Sequence, residues 1–155
     1  MIIDSHCHLT YEPMSNALNE TIDRANKDGI KYMLTISTED KSFEQILKIV
    51  NGYESVYGTY GIHPHEAKSH QHIKSDDIIS KVNQNKKIIG IGETGLDFYY
   101  NHSEKKDQIY SFEEHISAAQ EKNLPLIVHT RSAEKETLQI LEKHSKKKET
   151  KILIH

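Results

Sequence analysis

Six short runs rich in β-branched and apolar residues punctuate the chain, and in nearly every run the polar residues sit at the C-terminal end. They are MIIDSHCH at 1–8, YMLTIST at 32–38, VYGTYGIHP at 56–64, KIIGIGETGLD at 87–97, PLIVHTR at 125–131 and KILIH at 151–155. Helix-period segments lie between them. Residues 14–28 put Met14, Leu18, Ile22 and Ala25 on one stripe, with Gly29 placed to cap the last turn. Residues 40–51 repeat the pattern with Phe43, Leu47 and Val50, and Ile78, Ile79 and Val82 mark a shorter helix. Ile109, Phe112, Ile116 and Ala119 mark the longest, near 104–122, which must stop before Leu124-Pro125. Leu138 and Leu141 mark one more, followed by a solvated KKK run at 146–148.

Strands alternating with helices predict βα units and a parallel sheet. Two architectures compete, an open doubly wound sheet and part of a (β/α)8 barrel. An open sheet binds ligands mainly at one switch point. Here polar residues end most of the strands, as at the catalytic face of a barrel. The expectation is an α/β fold: one domain over 1–155 forming an incomplete TIM-type barrel, with about six parallel strands present and helices outside. A full barrel has eight strands in typically ~250 residues, so the final KILIH reads as an interruption.

Composition narrows the function class. The formal net charge of −3 gives no basic surface for nucleic acid or acidic lipid. No run approaches the ~20 apolar residues of a membrane span, and the start does not read as a signal peptide. The single cysteine, Cys7, excludes an internal disulfide framework and suits a reducing cytosol, so a cytoplasmic protein is expected. Histidine is the unusual count, 11 in all without a His-rich tract. Histidines spread along the chain yet placed at strand ends point to metal ligation.

Strand alternation puts Asp4, His6 and His8 on one face and Ser5 and Cys7 on the other. Imidazoles two residues apart project to one side about 7 Å apart and can chelate one divalent cation, although a hydrogen-bonded interior pair has the same pattern. Glu93 follows a fully apolar, Gly-rich strand where an unpaired carboxylate is costly. A metal ion removes that cost, and a carboxylate can bridge two; a salt bridge to Arg131 or a lysine is the alternative. His129 is a natural further nitrogen ligand. Arg131, on the same face, can take a phosphate or carboxylate in a fork, or simply pair with Glu134. Pro64 stiffens the turn that displays His63 and His65, either of which can bind a substrate oxygen, act as an acid, or be a surface histidine. With His155, four histidines and one glutamate gather at the ends of strands one, four, five and six. Nitrogen-rich ligation favours zinc or manganese over magnesium.

Taken in order, DSHCHL, GIHPHEA, IGETGLDFYY, PLIVHTRSAEKETLQIL and ILIH resemble the TatD-type metal-dependent deoxyribonucleases of the amidohydrolase superfamily, from the first residue to the last. The short DxHxH element alone also suits PHP phosphoesterases or deaminases. The resemblance implies a (β/α)8 barrel, two divalent cations (zinc, manganese or magnesium) and hydrolysis of DNA phosphodiesters, commonly as a 3′-5′ exonuclease. By position it implies that His6, His8, Glu93, His129 and His155 are metal ligands, with Glu93 the bridge and a catalytic group. It also implies that His63 and Arg131 meet the substrate phosphate, His63 with a catalytic part.

Members of that family continue roughly another hundred residues, with an aspartate on a later strand that binds metal and handles the proton of the attacking water. This chain has no counterpart, so weak or absent activity is expected. Two apolar edge strands imply self-association or a complementing C-terminal chain. The alternatives are an inactive decayed fragment, a half-barrel that needs a partner, or another hydrolase on the same barrel, such as a lactonase or deaminase.

Overall fold

In a computed structural model that describes residues 1–146 and 148–155, the chain forms a curled half-barrel with helices on its outer side. Among the described residues there are six strands: β1 (Ile2–Cys7), β2 (Ile30–Thr35), β3 (Val56–Tyr60), β4 (Ile88–Asp97), β5 (Leu126–Arg131) and β6 (Ile152–Ile154). They pair in parallel in sequence order, so β1 and β6 are the outer strands. The helices are α1 (Leu18–Lys27), α2 (Phe43–Gly52), α3 (Ser75–Val82), α4 (Lys105–Lys122) and α5 (Glu134–Ser145). Of the KKK run, Lys147 lies outside the described residues.

The elements follow the apolar periods closely, and the ends show what trims them. The first turn of the 14–28 segment is a 3-10 turn, Met14–Ala17, before α1 begins. Gly29 beyond α1 takes φ +94°, a conformation that suits glycine. Asn123 stops α4 in the left-handed region at φ 52°, one residue before Leu124-Pro125. At α3 the Asp77 carboxylate accepts the Lys74 N–H, and Glu114 accepts the Ser75 N–H, which fastens α3 to α4.

The core lies between the sheet and the helices. Ile22, Phe43, Ile46, Val50, Phe112 and Ile116 from the helices meet Met33, Val56, Ile88, Ile91, Leu126 and Val128 from the strands. Each such side chain contributes about 1.5–3 kcal/mol by leaving water. Phe43 and Tyr60 meet edge to face at 4.8 Å, and the Tyr60 hydroxyl donates to Asp40.

The concave side is different. Ile3, Ser5, Tyr32, Leu34, Tyr57 and Ile89 line an open apolar hollow there, and Ile2, Ile3 and Ile154 on the outer strands are more than half exposed. Ser5 corrects the simple alternation expected for β1. The register against β2 shifts between Asp4 and Cys7, and this irregularity leaves Ser5 on the hollow beside Ile3. Cys7 instead packs against the core, and burial with the nearby Asp4 charge pushes its thiol up to about 12, so it stays protonated. At their C-terminal tips the outer strands converge: the rings of His6 and His155 stack at 3.8 Å.

Candidate metal centre

Glu93 stands at the middle of the rim because β4 is squeezed there. Gly92 and Gly95 flank it at φ +128° and +135°, and an added Cβ would lie 2.4 Å from the Ile127 oxygen or 2.1 Å from the His129 oxygen. Only glycine permits this approach of backbone to backbone. The Glu93 N–H donates to Ser37 O at 2.8 Å, so the residues following β2 hold the carboxylate from the other side.

Four imidazoles surround that carboxylate, divided between its two oxygens. Oε2 lies 3.5 Å from His6 Nε2 and 3.9 Å from His8 Nε2. Oε1 lies 3.2 Å from His129 Nδ1 and 3.9 Å from His63 Nε2. His6, His8 and Glu93 form one compact donor set, and His63, Glu93 and His129 form a second. Glu93 is 3% exposed. Burial raises a carboxyl pKa, but the imidazoles gathered against its oxygens, His129 and His6 foremost, prevail and hold Glu93 well below the usual range. Burial lowers His8, and it pushes His63 down to about 3, so His63 is neutral near pH 7.

The donor set fits divalent cations. Both ring nitrogens of His6 and Nδ1 of His8 are buried without a hydrogen-bond partner. Leaving a buried polar atom unpaired costs about 1–3 kcal/mol, and metal ligation removes that cost. Imidazole nitrogen with carboxylate oxygen suits zinc or manganese.

The predicted site residues divide into three groups. His6, His8, Glu93 and His129 come together as expected. His63 joins them, yet its Nδ1 accepts the His65 backbone N–H at 3.2 Å. The neutral ring therefore carries its proton on Nε2, which makes that atom a donor toward Glu93 or a ligand oxygen. His155 lines the cavity but stacks on His6 outside both compact sets. Arg131 does not line the cavity; its guanidinium carbon lies 4.5 Å from the Tyr99 ring centre and 4.7 Å from that of Tyr100. Glu134 instead accepts the Ser132 N–H.

Sequence reasoning missed Asp97, although it shares a strand face with Glu93 at i+4. It is 1% exposed. Its Oδ1 accepts the N–H groups of Tyr99 and Tyr100, both at 3.0 Å, while Oδ2 faces His65 Nε2 at 2.8 Å and His129 Nε2 at 3.2 Å. Gln108 clasps the Asp97 backbone from α4, accepting its N–H and donating to its carbonyl. Burial pushes the Asp97 carboxyl up, but these donors outweigh it and bring it to about 2. Held between Glu93 and Asp97, His129 is pulled up despite its burial. The cavity, about 360 Å³, is completed by Tyr11, Thr38, Glu39, His65 and Glu66.

A family model described as TatD related DNase matches residues 3–155. The chain belongs to the TatD family. An uncharacterized metal-dependent hydrolase of Buchnera aphidicola (subsp. Baizongia pistaciae) is 35% identical over 94% of this chain and 56% of its own length. The 3′-5′ ssDNA/RNA exonuclease TatD of Salmonella typhimurium is 30% identical over 91% of this chain and 54% of its own. The crystal structure of YjjV, a TatD homologue from Escherichia coli, superposes with a TM-score of 0.84 at 25% identity, covering 92% of this chain and 56% of that one. This TatD-family chain thus spans about half the length of the relatives it matches.

Proposed function

We propose that the chain is a metal-dependent phosphodiester hydrolase acting on single-stranded DNA from the 3′ end. The observation that carries this reading is the division of imidazoles between the two oxygens of Glu93, with His6 and His8 on one and His129 on the other. The name of the Salmonella relative supports the substrate class.

His6, His8, Glu93 and His129, with His155 at the cavity wall, would hold two divalent cations. When bound, such a pair supplies an activated water and neutralises charge on phosphate oxygens. The chain's own residues prepare the rest. Asp97 takes the proton on His129 Nε2, which leaves Nδ1 with its lone pair toward Glu93. His63 presents an N–H at Nε2 from a ring fixed by the His65 amide, a donor suited to a non-bridging phosphate oxygen.

Asp97 is not the spare base of the reaction. Four donors already saturate its two oxygens.

Incubation with a 5′-labelled single-stranded oligonucleotide and manganese tests the reading. Stepwise shortening from the 3′ end, abolished by Glu93→Gln, is the expected result. Internal cuts, or shortening that survives Glu93→Gln, would refute it.

A further inference from the structure

We propose that Tyr99, Tyr100 and Arg131 form a stacking subsite for a nucleobase of single-stranded nucleic acid, one step out from the Glu93 centre. The inference rests on the nuclease reading above and extends it to how the strand is held.

Tyr99 and Tyr100 are 60% and 48% exposed, an unusual placement for two adjacent rings beside a polar cavity. They stand edge to face at 4.9 Å with the Arg131 guanidinium against both. His102 lies parallel to Tyr100 at 5.7 Å. On the inner side the Tyr100 ring is 5.5 Å from that of His65, which lines the cavity, so the aromatic group continues the cavity wall outward.

The platform is held firmly. Asp97 Oδ1 accepts the N–H of both tyrosines, and the same carboxylate grips His65 and His129 through Oδ2. The backbone that carries the rings is thereby fixed, and the Arg131 guanidinium lies against both rings. A guanidinium used by its face keeps its N–H edges for a phosphate oxygen. Charge placement agrees: the cavity lining carries Glu39, Glu66 and Glu93 and no Lys or Arg, and Arg131 brings a cation to its rim.

The chemistry selects a single strand. Stacking needs an unpaired base face, and aromatic rings interleaved with a cation serve single strands with little sequence preference. A duplex offers base edges in its grooves instead.

Fluorescence anisotropy of the whole 155-residue chain, without added metal, tests this with fluorescein-labelled (dT)6 and with a six-unit abasic strand of equal charge. The wild type is expected to bind (dT)6 about 5- to 100-fold more tightly than the abasic strand. Tyr99→Ala removes most of that preference, Tyr99→Phe keeps it, and zinc affinity is unchanged in both. Equal binding of the two strands by the wild type, or a preference that survives Tyr99→Ala, overturns the subsite while leaving the nuclease reading to its own assay. Failure to bind either strand overturns the subsite and, joined to a failed cleavage assay, the nuclease reading too.

Discussion

Asp97 Oδ2 lies 3.2 Å from Nε2 of His129, and the opposite nitrogen of that ring lies 3.2 Å from Glu93 Oε1. One imidazole thus links the buried carboxylate that positions with the buried carboxylate that is shared. Asp97→Asn keeps an oxygen for the two tyrosine amides but turns an N–H2 group toward His65 and His129. His129 must then move its proton to Nδ1, the atom facing Glu93. Cation affinity is expected to fall about 10- to 100-fold, the usual cost of losing such a support, in a competitive zinc titration. Unchanged affinity with an intact circular dichroism spectrum would show that Asp97 serves the Tyr99 turn alone.

His115 should make the fold acid-sensitive well before the carboxylates do. It is 1% exposed, accepts the Ile62 N–H at Nε2 and donates from Nδ1 to Ser111 O. Burial depresses it from 6.5 to about 4. The unfolded chain therefore takes up the proton first as pH falls. The contribution is fully present above about pH 6.5, declines between 6.5 and 4, and is flat below. Two and a half pH units at 1.36 kcal/mol each amount to about 3 kcal/mol. Urea unfolding at pH 7.5 and 4.5, in the absence of metal, should show a lower midpoint at the acid pH. An unchanged midpoint would contradict the neutral, buried assignment.

The exposed concave hollow and outer strands predict self-association. Ile3 on β1 and Ile154 on β6 are 54% and 63% exposed, on strands whose outer edges have no neighbour among the described residues. Sedimentation velocity is expected to show concentration-dependent oligomers, reduced by Ile3→Lys combined with Ile154→Lys. A monodisperse monomer for the unsubstituted chain at high concentration would contradict this.

The sheet and its helices were legible because apolar period and polar strand tips agree over the chain. His6, His8, Glu93 and His129 were legible for the same reason, each ending a strand. Three features were not. The register shift in β1 that turns Ser5 to the hollow leaves no trace in an alternating pattern, because it depends on how β2 lies alongside. Asp97 ends a strand like Glu93, but its role comes from partners on the residues after β3 and β4 and on β5. The place of the Arg131 guanidinium is the third, because the tyrosines it lies against follow a different strand.

Metal stoichiometry tests the shared carboxylate most directly. Purified chain is loaded with manganese or zinc, freed of excess by gel filtration, and measured by mass spectrometry of the metal against protein concentration. Two ions per wild-type chain are predicted, and Glu93→Gln, which removes the charge common to both donor sets, should retain fewer than one. Wild-type chain without stoichiometric metal, or Glu93→Gln chain that still holds two ions, would contradict a centre built on Glu93.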